Sequence, residues 1–295
     1  MLLLSTLHQF DIDPLFFFVL LATAGLTLFF ALAALAAPLL GVVTESLYVF
    51  KHQSFYDKCA LQITQAAFCM GLFIFFTLGA GLIYYVYYVD YIAIPPLIKA
   101  PPLTGLLLLG VYWITWSALK QRRALHLLLG WAAALSMLGA LFVFCGLLIA
   151  VDWPAFMALI YVGLLCTGLA AGAGLSQLWL IMRRFKADYG RDYYAFAMRY
   201  CARVALSFTL AAALIVCALL LLLRHAIPAD LVQPLDIGVI AIAFGLPLSC
   251  CLLWFGIAKS DSPLRHKPGA FFACVFLFIA LGAQLLMLLS AFPSP

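Results

Sequence analysis

Residues 154–182 read PAFMALIYVGLLCTGLAAGAGLSQLWLIM. No charge interrupts this run, and it exceeds the ~20 apolar residues that a helix needs to cross a ~30 Å hydrocarbon core. Its small-residue tract, Ala170-Ala171-Gly172-Ala173-Gly174, allows a neighbouring helix to approach closely. Seven further apolar segments accompany it, at roughly 15–44, 61–89, 102–119, 127–151, 204–223, 236–258 and 270–291. Backbone groups inside a bilayer find no water, so such runs must satisfy their hydrogen bonds internally, as helices. A β-barrel would show alternating segments of ~10 residues, a pattern absent from this sequence. The composition agrees: of 295 residues, 67% are hydrophobic and 9% charged, with a mean hydropathy of +1.17. These values exclude a water-soluble globule, a disordered chain and a disulfide-rich secreted scaffold. The expected fold class is an all-α integral membrane protein with eight transmembrane helices.

The basic residues orient it. With the N-terminus outside, the inner loops hold 14 of the 16 Lys and Arg residues, and only Lys99 and Arg224 fall outside. The acidic residues split 5 inside to 6 outside, as expected of residues with little topological weight. Both termini are therefore expected to be extracytoplasmic, in a bacterial-type inner membrane. The start, Met1 to Pro14, lacks a basic region and carries Asp11 and Asp13, so it does not read as a cleavable signal. The net charge of +5 needs no nucleic-acid partner; these cations face anionic lipid, a membrane partner.

The second half echoes the first at an offset of about 138 residues. Asp13-Pro14 opens span one and Asp152-Trp153-Pro154 opens span five. Trp116 and Lys120 close span three, as Trp254 and Lys259 close span seven; His126 with Gly130 and His266 with Gly269 begin spans four and eight. An even number of spans per unit makes the copies parallel. The expected organisation is thus two parallel four-helix bundles, residues 1–151 and 152–295.

Chemistry is sparse. A b-type haem in a bundle needs inward-facing axial ligands, usually His or Met. The five histidines, His8, His52, His126, His225 and His266, all fall in loops or at span ends. His8 with His225, or His126 with His266, are the weak cofactor-binding candidates, against a simpler role as interfacial anchors. Ion or proton paths need ionisable groups in the apolar zone, and the sole glutamate, Glu45, stands at the inner end of span one. The nine cysteines form no CxxC pair and read as small packing residues, with no metal site. Tyr84, Tyr85, Tyr87, Tyr88 and Tyr91 form an aromatic belt that could also hold a flat quinone ring. Pro95-Pro96 and Pro101-Pro102 predict a stiff, non-helical loop from Tyr91 to Pro102.

The junction between spans five and six reads Gly190-Arg191-Asp192-Tyr193-Tyr194-Ala195-Phe196-Ala197-Met198-Arg199, then Ala205-Leu206-Ser207-Phe208. It resembles the same junction in subunit I of cytochrome bd-type quinol oxidases, with one extra residue after Asp192. Glu45-Ser46-Leu47-Tyr48-Val49, followed by Tyr56, resembles that family's first inner loop, and Thr23-Ala24, Trp116, His126 and Trp131 fall at similar places. The resemblance covers spans one to six. It departs from the family at the haem ligands: Thr27 stands where span one of the family carries a His, and span five has no histidine. The paired glutamates of span three fall near Thr104 and Tyr112, the quinol loop shrinks to Arg224–Asp236, the Gly-Arg-Gln-Pro-Trp signature is absent, and the chain stops one span short.

What the resemblance implies is inner-loop architecture without the haem-ligand positions. Glu45, Tyr48, Arg191, Asp192, Arg199 and Arg203 are the structural inner-loop residues it singles out. The arginines can hold helix ends and lipid head groups, Asp192 can pair with an arginine, and Glu45 can pair within the basic cluster. The expected function is a haem-free, cytochrome bd oxidase-like subunit of a respiratory quinol-oxidising electron-transport complex. It would scaffold a haem-bearing partner, with quinol or lipid in its bundles, and have no catalytic residues or cofactor of its own. The alternative is a transporter of a small or lipid-like solute built on the two repeats. A membrane enzyme using His126, His266 and the arginines on a phosphate or lipid substrate lacks any supporting motif such as HExxH.

Overall fold

The computed structural model describes residues 14–88, 96–119, 121–148, 154–185, 189–226 and 237–291. Among these the chain is helical, with no strand. The long helices are α1 (Pro14–Lys51), α2 (Ser54–Tyr88), α3 (Pro96–Ile114), α4 (Arg123–Leu148), α5 (Pro154–Arg183), α6 (Arg191–Ala226), α7 (Ile237–Lys259) and α8 (Lys267–Ala291). A short 3-10 turn, Pro263–His266, joins the last two. Seven helices are long and apolar enough to cross a membrane, and large side chains such as Leu107, Leu128, Leu135, Phe142 and Leu252 project outward uncovered. In water that surface would be prohibitive, whereas lipid tails solvate it. The chain is a multi-pass helical membrane protein.

Two expectations are corrected. The third apolar segment is placed earlier than expected: α3 covers the 19 residues Pro96–Ile114, and residues 115–119 form turns. The turn is stabilised by Thr115 Oγ1 donating to the Val111 carbonyl at 2.7 Å, a back-bond that favours bending over regular helix. Conversely, Pro101 and Pro102 lie within α3, not in a loop. They are its sixth and seventh residues, past the first turn, so each removes a backbone donor from the helix interior. The Pro101 carbonyl accepts from Ser136 Oγ at 3.0 Å and from Thr104 Oγ1 at 3.1 Å.

Helices α1 and α5 are the most enclosed. α1 packs on α2, α4, α5 and α8, and α5 on α6, α8, α2 and α4. Their contact uses the small residues that the sequence supplies. A Cβ on Gly168 would lie 2.6 Å from the Leu32 carbonyl oxygen and 2.8 Å from Ala36 Cβ, and one on Gly172 would lie 3.0 Å from Ala37 Cβ. Close backbone approach of this kind drives helix association in lipid, where burial of apolar surface contributes little.

Polar ties join the packed helices. Thr44 on α1 and Tyr200 on α6 share a hydrogen bond of 2.9 Å. Tyr193 donates to Gln62 Oε1 on α2 at 2.8 Å. Gln177 on α5 donates to the Met198 carbonyl at 2.9 Å and accepts from Trp254 Nε1 at 3.2 Å. These bonds satisfy groups that would otherwise be costly to bury.

A buried charge network as the candidate functional site

The helix termini bearing most of the Lys and Arg residues meet at one end of the molecule. His52, with φ of 54°, stops α1, and its amide donates to the Tyr48 carbonyl at 2.8 Å. This reversal brings the start of α2 beside the end of α1. On the opposite side the α3 helix ends at Ile114, and α4 starts at Arg123. Four separate elements thereby aim polar groups at one point.

That point is Glu45, completely buried near the end of α1. Its carboxylate accepts from Arg123 Nη1 at 2.8 Å, from the Tyr112 hydroxyl, and lies 2.8 and 3.0 Å from His126 Nδ1. The second arm of Arg123 donates from Nη2 to Asp57 Oδ1 at 2.7 Å. Arg123 occupies the first position of α4, where the helix dipole disfavours a cation; the two carboxylates offset that cost. Its guanidinium also lies over the Tyr48 ring, 5.0 Å from the centroid.

His126 is held on all sides. Its Nε2 lies 2.9 Å from the Tyr112 carbonyl, which can only accept. Nε2 therefore donates, and Nδ1 meets a carboxylate that two other donors already favour as the anion. Hydrogen-bond accounting makes the ring a double donor between Glu45 and the α3 backbone. Tyr112 stacks on the imidazole at 4.4 Å, and Trp116 meets it edge-on at 4.8 Å. The turn after α3 is what brings Trp116 over the ring. Gly130 leaves the room: a Cβ there would stand 2.7 Å from the Tyr112 ring.

Chemically, the network couples two carboxylates to one guanidinium and one imidazole in a pocket without water access at Glu45. It binds α1, α2, α3 and α4 together, with Nδ1 of His126 lying 2.8 Å from the Glu45 carboxylate. Intramembrane ionisable groups of this kind are costly and need such pairing.

The structure distributes the residues singled out from sequence over several places. Glu45 and Tyr48 lie on α1 and His126 on α4, and these three come together. His126 is buried, not at an exposed interface. Arg191, Asp192, Arg199 and Arg203 lie on the first turns of α6, so the helix extends through what reads as an inner loop. Gly190, at φ +84°, starts that helix with a backbone conformation that L side chains rarely adopt. His266 is exposed in the 3-10 turn, and the Thr27 hydroxyl donates to the Thr23 carbonyl at 2.8 Å. His8 lies outside the described residues, as do the side chains of His225 and of the Tyr84–Tyr91 belt. Sequence reasoning missed Tyr112 and Arg123 as partners of Glu45, and Asp57 as a partner of Arg123.

Both ring nitrogens of His126 are engaged by protein atoms, and the Thr27 hydroxyl bonds along its own helix. Compared with known proteins, the chain matches no family model, and no curated protein matches it.

Proposed function

We propose that this chain is a haem-free, cytochrome bd oxidase-like membrane subunit that scaffolds a haem-bearing partner in a quinol-oxidising electron-transport complex. In this reading it has two parallel four-helix bundles, residues 1–151 and 152–295, in a bacterial-type inner membrane with both termini extracytoplasmic. Quinol or lipid fills the grooves between helices, and the redox chemistry belongs to the partner.

The observation that carries the reading is a pairing scheme that occurs twice. In the first half the neighbours are α1 with α2, α2 with α3, α3 with α4, and α4 with α1. In the second they are α5 with α6, α6 with α7, α7 with α8, and α8 with α5. The matching neighbour pairs support a ring of four helices in each half, with the leading helices α1 and α5 in contact. That is the organisation expected from the internal repeat at an offset of about 138 residues. The commitment of His126 to Glu45 and the α3 backbone supports a structural use of the one position where His and the resemblance coincide.

The test is affinity purification of the tagged chain from its own membranes in mild detergent. A haem-bearing polypeptide should co-elute in fixed ratio, and quinol-dependent electron transfer should fall when the chain is deleted. Elution without a redox partner, unchanged quinol oxidation on deletion, or solute flux through liposomes containing only this chain would contradict the reading.

A further inference from the structure

A second feature at the basic end is independent of the Glu45 network. Arg191, Ala195, Arg199 and Arg203 follow one another at four-residue spacing along α6, so they form one stripe on the helix. They line a cavity of about 520 Å³. Its wall is aromatic: Phe55 and Tyr56 from α2, and Phe196 and Tyr200 from α6. The wall is rigid, because Tyr56 meets Phe196 and Tyr200 edge-on at 5.0 and 5.7 Å. Asp192 and Asp261 complete the lining, so the cations outnumber the carboxylates.

The arginines are not used up by the fold. Arg199 donates Nε to the Ser260 carbonyl at 3.1 Å and Nη2 to the Asp261 carbonyl at 3.0 Å, which fixes its guanidinium at the cavity. Among the described residues, Arg191 and Arg203 are exposed and take part in no ion pair with Asp192 or Asp261. Arg191 also stands at the start of α6, where a cation opposes the helix dipole and an anion is favoured. Beyond Arg203 the same exposed face of α6 becomes apolar, with Leu210, Leu214 and Leu221 uncovered. A positively charged recess therefore leads directly onto a lipid-facing leucine track. Such a sequence of surfaces matches an amphiphile with an anionic head and an acyl tail, and exceeds what a free anion needs.

We propose that this cavity binds the phosphodiester headgroup of a membrane phospholipid, with Arg191, Arg199 and Arg203 around the phosphate and the acyl chains along Leu210 and Leu214. Asp192 and Asp261 face the polar terminus of the headgroup, where they accept from its hydroxyl or ammonium protons. The site stands whether or not the chain scaffolds a redox partner.

Native mass spectrometry of the purified full chain, titrated with phosphatidylglycerol, phosphatidylethanolamine or inorganic phosphate, tests it. One phospholipid should bind the chain more tightly than any other. The Arg191→Gln/Arg203→Gln variant should weaken that binding by about tenfold or more, since two charge-assisted hydrogen-bond donors are lost. Ala195→Trp, which fills the cavity and leaves every charge in place, should displace the same lipid. Arg183→Gln, at the same end but stacked on Trp179, should leave it bound. Equal lipid binding in the double variant or in Ala195→Trp would overturn the proposal. So would an equal loss in Arg183→Gln, which would mark a diffuse charge effect, or displacement of the lipid by millimolar inorganic phosphate, which would mark a site for the soluble anion.

Discussion

Replacing Glu45 by Gln should lower the stability of the folded chain by about 3–5 kcal/mol, the range for removing one partner of a buried ion pair. The substitution keeps the size of the side chain, removes its charge and turns one acceptor oxygen into an NH2 donor. Arg123 retains Asp57, but His126 loses the anion facing Nδ1, while its Nε2 stays fixed on the Tyr112 carbonyl at 2.9 Å. A buried donor and an excess positive charge remain among α1, α3 and α4. The melting temperature in detergent, followed by size-exclusion chromatography, should fall clearly. His126→Phe should also be damaging, yet the double variant Glu45→Gln/His126→Phe should cost less than the sum of the two, because the uncompensated charge is gone. Additive losses, or a Glu45→Gln variant that melts like the parent, would show that the network is not the clasp described here.

The seam between α1 and α5 gives the second large effect. At Gly168 even a methyl group would stand 2.6 Å from the Leu32 carbonyl oxygen, a backbone atom that no side-chain rotation can remove. Gly168→Ala should therefore cost about 1–3 kcal/mol through overpacking, and Gly168→Leu should push α1 and α5 apart and abolish accumulation of folded protein. Gly256 on α7 is the internal control. A Cβ there meets nothing within 4 Å, so Gly256→Ala should be neutral or slightly stabilising, by the helix propensity difference of about 1 kcal/mol. Opposite signs at two helical glycines would tie the seam to backbone proximity. A harmless Gly168→Ala would mean that the two halves do not meet there.

The helices were legible because hydrophobicity over twenty or so residues has one physical outcome in lipid. Their limits were less so. Hydropathy starts the sixth span near residue 204, whereas α6 begins at Arg191. The stretch between is polar enough to look like a loop, although Gly190 and the spacings of eight and four residues between Arg191, Arg199 and Arg203 were already helical signals. The proline pairs misled in the other direction: Pro101 and Pro102 are accepted inside α3, with hydroxyls of Ser136 and Thr104 on the Pro101 carbonyl.

The site was half visible. Glu45 is the only glutamate in the chain, and Arg123 and His126 lie one helical turn apart on α4. A carboxylate within a span, at the same end as that pair, was a signal that one acid holds both. Nothing local, however, connects residue 45 with Tyr112 or Arg123 with Asp57. Those contacts depend on the turn after Ile114 and the reversal at His52, which arise from packing among four elements. His126 looked interfacial because a span end lies near water in one dimension, whereas its burial is set by Tyr112 on α3 and Trp116 in the turn that follows it.

A pyridine haemochrome assay on the isolated chain, stripped of partners and quantified against protein, bears on the proposed role without intermediaries. The expected result is far less than one haem per chain, with the haem recovered in the partner fraction. Stoichiometric b-type haem that stays with this polypeptide, and is lost when one of its own histidines is replaced, would contradict it.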